Sequence, residues 1–362
     1  RLHPDTAASL RDLVAVMNCY YSNLIEGHNT RPREIEAALS DDLDEDDARR
    51  DLQLEARAHI RVQGDIDRRH AEGLLGEPAR VEFIRWLHEA FYDGAPESQL
   101  RIEWPRGAFL MEPGRFRSRP EHDNVVGRHQ PPSSGRVEGF MAYFEGKYLL
   151  EPLGPVRGVV AMAAAHHRLN FIHPFPDGNG RVSRLMSHAM GLQVGIGARG
   201  LWSISRGLAR GLGDRGEYRR MLDAADAPRR GDTDGRGNLS EEALVEFVTW
   251  FARVALDQVT FMTGLFDFDR LTERLRAYVV NSLGAPSEAG EIVAEVLRRG
   301  SVARGEAPRL TGRAERTARD QLRALTDAGL LASSTPNGAV FLRFSMDAAD
   351  VLFPRLFPAQ EL

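Results

Sequence analysis

Cysteine is almost absent. Cys19 is the only one in 362 residues, which excludes a disulfide framework within the chain and a thiolate-held metal centre. Lysine is equally rare: Lys147 stands alone among 47 basic residues. A Gly-Lys-Ser/Thr phosphate loop is therefore impossible, because that loop needs a lysine directly after its last glycine. A protein kinase of the usual kind is excluded on the same ground. Phosphate chemistry in this chain has to run on arginine, main-chain N–H groups and metal. No apolar run reaches the roughly 20 residues of a membrane-spanning helix, so no membrane partner is expected. The net charge of −5 argues against the whole chain coating a nucleic acid, while a local basic face stays open. The first residue is Arg1 rather than Met, which leaves a preceding segment open. What is present is an ordinary globular composition, 42% hydrophobic and 27% charged, at a length that suits about two to three domains.

The most informative stretch is His173-Pro174-Phe175-Pro176-Asp177-Gly178-Asn179-Gly180-Arg181. It places an imidazole, a carboxylate, a glycine-framed amide and a guanidinium within nine residues. Gly178 and Gly180 allow a tight turn and close approach of a ligand. Val182, Leu185, Ala189 and Met190 then recur at helical spacing. A glycine loop feeding a helix N-terminus is an anion cradle, since unpaired N–H groups and the helix dipole both favour negative charge. Arg181 and Arg184 in the first turn add charge-assisted contacts for phosphate oxygens. Asp177 is a hard oxygen ligand suited to Mg²⁺, which takes one or two carboxylates plus substrate phosphates. His173 is the side chain most easily poised as a base near neutral pH.

At these residues the chain resembles the Fic family (filamentation induced by cAMP). Its motif runs His-Pro-Phe-any-Asp/Glu-Gly-Asn-Gly-Arg, and every fixed position is met. The resemblance implies nucleotidyl transfer, most often protein AMPylation, with ATP and Mg²⁺ bound at the loop. His173 would take the proton from a target hydroxyl that attacks the α-phosphate, and Asp177 would hold Mg²⁺. Gly178, Asn179 and Gly180 would bind phosphates through their main chain, and Arg181 and Arg184 would contact the β- and γ-phosphates. The resemblance spans roughly residues 10–265. Gly114-Arg115-Phe116-Arg117 through Val126-Gly127 and Pro131-Pro132 resembles the family's flap, and Trp202 to Arg206 with Tyr218 resembles the segment lining the nucleotide pocket. Tyr218 is thereby expected at the nucleotide.

Helical spacing runs over residues 6–27, 52–75, 78–93, 155–170, 201–226 and 239–262. The acidic run from Asp41 to Asp51 reads as a solvated helix start. Residues 114–132, rich in Gly, Pro, Arg and Ser, read as a hairpin or irregular flap. Asp232 to Glu241 invites comparison with a calcium loop, but Arg230 would stand where the first carboxylate belongs, so a polar turn capping the helix near Ser240 is the expectation.

Ser22 and Glu26 lie four apart on one helix face, and Gly27 is a natural helix stop. Within a Fic-like chain this matches the inhibitory pattern Ser/Thr-x-x-x-Glu-Gly/Asn of the class with an N-terminal inhibitory helix. There the glutamate pairs with the second motif arginine, here Arg184. One guanidinium cannot serve both a carboxylate and a γ-phosphate, so Glu26 would force ATP into an unproductive pose.

Residues 286–345 read as three helices and a hairpin. The third helix begins near Glu315, and a turn at Pro336-Asn337-Gly338 separates two short apolar runs. The pattern resembles a winged helix-turn-helix, with Arg313, Arg316, Arg319 and Arg323 as candidate DNA contacts. Nine arginines against seven acidic residues leave a thin surplus, so protein docking or support of a homodimer competes with DNA binding.

The expectation is thus a mainly α protein: a Fic-type helical domain with a short β-hairpin flap, then a small winged-helix domain. Residues 1–100 would form the helical region with the inhibitory helix, 101–265 the catalytic core, 266–285 a linker helix, 286–345 the winged helix and 346–362 a tail. The expected activity is AMP transfer from ATP to a Ser, Thr or Tyr hydroxyl of a protein, self-modification included, in the cytoplasm where ATP is at hand. Two alternatives stand beside it: removal of AMP by the same site, and a DNA-binding regulator that only senses nucleotide. The intact His173 speaks against a pure sensor, which needs the phosphate cradle and no base.

Overall fold

Proline opens three of the helices, at Pro4, Pro32 and Pro155, where the first turn has no use for the missing N–H. The computed structural model describes residues 2–358 except 105, 106, 124, 126, 128 and 152. In chain order the first elements are α1 (Pro4–Glu26), α2 (Pro32–Leu39), α3 (Asp47–Ala71), α4 (Val81–Tyr92), α5 (Glu97–Leu100), β1 (Arg101–Trp104) and β2 (Gly107–Leu110). There follow α6 (Val137–Tyr148), α7 (Pro155–Ile172), α8 (Asn179–Gln193), α9 (Ile204–Arg210), α10 (Glu217–Ala225) and α11 (Glu241–Leu265). The last are α12 (Phe268–Asn281), α13 (Ala289–Arg299), β3 (Ser301–Val302), α14 (Ala307–Thr311), α15 (Glu315–Asp327), β4 (Leu331–Ala332), β5 (Val340–Leu342) and α16 (Met346–Leu352). The chain divides into two compact units. One is Asn18–Thr30 with Ala37–Val259; the other is Arg1–Met17, Arg31–Glu36 and Thr260–Leu362.

In the larger unit α8 is the central element. Every residue from Arg181 to Leu192 is buried, with α3, α4, α7 and α9 around it. A helix enclosed on all faces needs its polar side chains partnered, and this governs the site below. β1 and β2 pair antiparallel with Arg101 opposite Leu110 and Trp104 opposite Gly107. The hairpin is thus formed earlier in the chain than the flap expected at 114–132. Among the described residues that stretch is mostly irregular, with a 3₁₀ turn at Pro120–His122, as the second of the two expected forms has it; Val126 lies outside the described residues. The helix expected over 201–226 is two, α9 and α10, because Gly211 ends α9 at φ 64°. Asp234 accepts from the N–H groups of Arg230, Glu241 and Glu242, and Ser240 Oγ caps α11 through Ala243 N–H, so the 232–241 segment is a capping turn.

In the smaller unit β3, β5 and β4 form an antiparallel sheet in that order, with Val302 opposite Val340 and Leu331 opposite Leu342. β3 lies between the first two helices, where no strand was expected. The connection from β4 to β5 is seven residues long, not a two-residue hairpin. Its turn closes from Gly338 N–H to the Thr335 carbonyl, and neither Asn337 nor Gly338 has positive φ. Pro336 at the second turn position favours this type I geometry over the mirror-image turn that Asn-Gly suggested. α12 packs on α13 and α16. Beyond residue 345 the chain buries Met346, Leu352, Phe353, Leu356 and Phe357, which ties it into this unit.

Candidate active site

The loop from α7 to α8 is built by its own side chains. His173 ends α7 in the left-handed region, φ 49° and ψ 60°, with its N–H still on the Leu169 carbonyl. Asn179 Oδ1 accepts from Phe175 N–H at 2.9 Å, and its Nδ2 donates to the Phe175 carbonyl at 2.8 Å. The Asn179 side chain is thus consumed in closing the loop, and only its main chain is left for a ligand. Phe175 is fully buried, stacked on His88 at 3.9 Å between ring centres. Gly178 has φ 79°, and a Cβ there would meet the Tyr92 ring at 2.9 Å. No other residue type fits both demands.

Arg117 fixes the loop from the other side. Its buried guanidinium donates to the carbonyls of His173 (2.7 Å), Pro132 (2.9 Å) and Ile172 (3.2 Å) and pairs with Asp123 at 2.6 Å. A left-handed non-glycine residue costs free energy and persists only when its surroundings over-determine it. Here the carbonyls of Ile172 and His173, at the bend itself, are tied to the same cation as that of Pro132. Burial, then the charges of Arg117 and His129, push the His173 imidazole down to about 4, against the weaker opposite pull of Asp177 and a hydrogen bond to the Asn170 main chain. At neutral pH the ring is therefore an unprotonated acceptor.

Asp177 accepts from Tyr92 Oη at 2.7 Å, and its carbonyl accepts from His88 Nε2 at 3.2 Å. Burial pushes its carboxyl up, but Arg181, Tyr92 and the Gly178 N–H outweigh burial and hold it below the usual range. Arg181 is almost wholly buried. It lies 3.3 Å from Glu55 Oε2 of α3, 3.8 Å from Asp177 and 3.4 Å from Tyr92 Oη. Glu55 in turn meets His28 Nδ1 at 3.2 Å. Arg184, with 1% side-chain exposure, donates through Nε to Ser22 Oγ at 2.9 Å and through Nη2 to Glu26 Oε1 at 2.5 Å and the Ser22 carbonyl at 3.3 Å. Burial raises the Glu26 carboxyl; Arg184 and Arg181 more than reverse this, so it stays ionised. Gly27, at φ 91°, stops α1 at this point, and the N–H groups of Gly27 and His28 return to the carbonyls of Leu24 and Asn23.

A cavity of about 410 Å³ joins these groups. Glu26, His173, Gly180, Arg184 and Tyr218 line it. Asp177, Gly178, Asn179 and Arg181 stand beside it in the same loop and first helical turn, and Ser22 and Gly27 support it from α1. Gly180 faces Glu26 so closely that a Cβ would collide with Glu26 Oε1 and sit 3.0 Å from Arg184 Nη1. Tyr218 pairs with His166 Nε2 at 2.8 Å, and burial drives that imidazole down to about 3, so it is neutral. The far wall was not foreseen. His129 donates from Nε2 to the Phe171 carbonyl and meets Asp226 through Nδ1, both at 2.8 Å, and His167 Nε2 meets the same carboxylate at 2.9 Å. Among the described residues no group of three His, Cys, Asp or Glu could hold a metal unaided.

Residues 78–190 match the Fic/DOC family. The chain is 39% identical over 85 residues to "Protein adenylyltransferase Fic" of Culex quinquefasciatus and 38% identical over 85 residues to that of Drosophila melanogaster. These matches cover 24% of this chain and only 16% and 17% of the relatives. Among solved structures, it is similar to a Fic domain containing signaling protein from Bacteroides thetaiotaomicron, with 20% identity, a TM-score of 0.53, and 72% of this chain and 90% of that one covered. A Fic family protein from Desulfovibrio desulfuricans gives 16% identity and a TM-score of 0.52 over 92% of this chain and 88% of that one. The chain carries a Fic domain, and its fold is that of Fic proteins.

Proposed function

We propose that the protein is an adenylyltransferase that moves AMP from ATP to a Ser, Thr or Tyr hydroxyl of a protein, itself included, and that Glu26 holds it in check. The observation that carries this reading is the single cavity onto which the His173 imidazole, the α8 N-terminus at Gly180, Arg184 and Glu26 all open. A neutral imidazole beside a main-chain anion cradle is suited to taking a hydroxyl proton while the oxygen attacks the α-phosphate and pyrophosphate leaves. Arg184 and Arg181 hold the departing phosphates. Label from α-phosphate-labelled ATP should enter protein, and label from the γ-position should not. Transfer of the γ-label would replace the reading with a kinase.

Asp177 fits Mg²⁺, an ion bound by one or two carboxylates with substrate phosphates supplying the rest: it is ionised and half-exposed beside the cradle. When bound, the ion neutralises charge developing on the phosphates. Asp177→Ala should lower turnover about 10²-fold or more and abolish its response to Mg²⁺. Activity that persists and still rises with Mg²⁺ places the metal elsewhere.

The target segment is proposed to add as a strand to the β1–β2 hairpin, which pairs with no further strand among the described residues and whose Leu110 is half-exposed. Excising the hairpin should cut protein modification by at least about tenfold and leave ATP affinity unaltered. Equal loss of both would make the hairpin structural. For the smaller unit we infer a winged helix-turn-helix. The exposed face of α15 sets Arg316, Arg319 and Arg323 against Glu315, Asp320 and Asp327, with Arg319 already paired to Glu315 at 2.7 Å. That balance suits protein docking, such as a homodimer, better than DNA. Removal of AMP remains the second reading, favoured by an ionised Glu26 that opens on the cavity and could orient a water.

A further inference from the structure

We propose that Arg219 is a positioning residue of the brake: by donating to the Ile25 carbonyl it holds the last turn of α1, and with it Glu26, across the cavity. The inference rests on the reading of Glu26 as an inhibitor. A helix ends with four carbonyls that lack partners within the helix. In α1 the Gly27 stop takes up two, those of Asn23 and Leu24. The Ile25 carbonyl, directly before Glu26, is reached from outside by Arg219 Nη2 of α10 at 2.7 Å. The last turn of α1 carries no basic residue of its own, so its negative end is complemented from another helix.

The neighbouring arginine shows the difference. Arg220 pairs with Asp214 through both terminal nitrogens, at 3.0 Å and 2.5 Å, on the solvent side. Arg219 has no carboxylate within ion-pair distance among the described residues, and its guanidinium is spent on one carbonyl. Arg219, Ile25 and Glu26 share the cavity wall. Arg184 grips the Glu26 side chain, and Arg219 grips the main chain one residue before it. A carboxylate at the end of a frayed turn would spend less time on Arg184, and the γ-phosphate would win more often.

The test compares AMP transfer by the wild type, Arg219→Ala, Glu26→Gly, the double variant and Arg219→Lys, at fixed ATP. Arg219→Ala should raise the rate about threefold to tenfold. In the Glu26→Gly background the same substitution should change nothing, because there is no carboxylate left to position. Arg219→Lys, which still donates to a carbonyl, should stay near the wild-type rate. A loss of rate by the same factor in both backgrounds would make Arg219 a nucleotide ligand and overturn the proposal. So would an unchanged rate for Arg219→Ala while Glu26→Gly is activated. If Glu26→Gly itself is not activated, the autoinhibition reading has failed and the proposal falls with it, a pattern distinct from the other two. Arg219 is exposed, so its variants should melt with the wild type.

Discussion

Replacing Glu26 with glycine should raise AMP transfer by about tenfold to about 150-fold, read as label incorporated from ATP into the enzyme or an acceptor protein. The range follows from one charge-assisted hydrogen bond, worth about 1.5–3 kcal/mol. Arg184 is buried to 1% exposure, with Ser22, Glu26 and Tyr218 as partners in the site, and Glu26 is the carboxylate among them. Taking away Glu26 leaves a buried cation short of its counter-charge, a state that costs about 3–5 kcal/mol unless another anion fills it. On the proposed reading the γ-phosphate is that anion, so the loss to the empty enzyme becomes a gain for the productive complex. Arg184→Ala should not reproduce the activation. It removes the anchor of the brake together with a contact the triphosphate needs, and the double variant should behave like Arg184→Ala alone. Lower AMP transfer in Glu26→Gly refutes autoinhibition. Loss of AMP removal in the same variant would make the reverse reaction the better account of Glu26.

The central loop could be read in the sequence because its parts are local. Phe175, Asn179 and Gly178 satisfy one another within five residues, so composition and spacing carry the geometry. Ser22, Glu26 and Gly27 were equally local as a helix end, and only their partner, Arg184, lies far along the chain. What the sequence did not disclose is long-range. Arg117 stands in a segment already singled out, yet nothing in Gly-Arg-Phe-Arg says that its guanidinium ties the carbonyls of Ile172, His173 and Pro132. Glu55 sits in an acidic, Arg-rich helix where a carboxylate is ordinarily a solvated one; here it is buried against Arg181. The hairpin escaped notice because Arg-Ile-Glu-Trp and Gly-Ala-Phe-Leu are four-residue strands, too short for alternation to stand out. The break between α9 and α10 was legible after all in Gly211-Leu212-Gly213-Asp214, a turn-rich tetrad that helical spacing on either side obscured.

His173→Ala should lower AMP transfer by about 10²–10⁴-fold, the usual cost of losing a general base, while ATP binding survives. The imidazole opens on the cavity; on the proposed reading it takes a proton and does not face phosphate, so affinity would rest on the α8 N-terminus and the two arginines instead. The pH profile supplies an independent check. A base works only when unprotonated, and burial with Arg117 and His129 nearby has moved this ring from 6.5 down to about 4. Turnover at saturating ATP should therefore be level from about pH 6 upward, and it should fall only as pH drops toward about 4. An imidazole at its ordinary value would already have lost half the rate near 6.5. The sign matters for Arg117 as well. Its cation disfavours a second positive charge on the ring, so Arg117→Met should move the acid limb of the profile to higher pH besides loosening the loop. Near-normal turnover in His173→Ala, or an acid limb in the wild type centred near 6.5, would remove His173 from the role of base and leave the cavity as a nucleotide site without the chemistry.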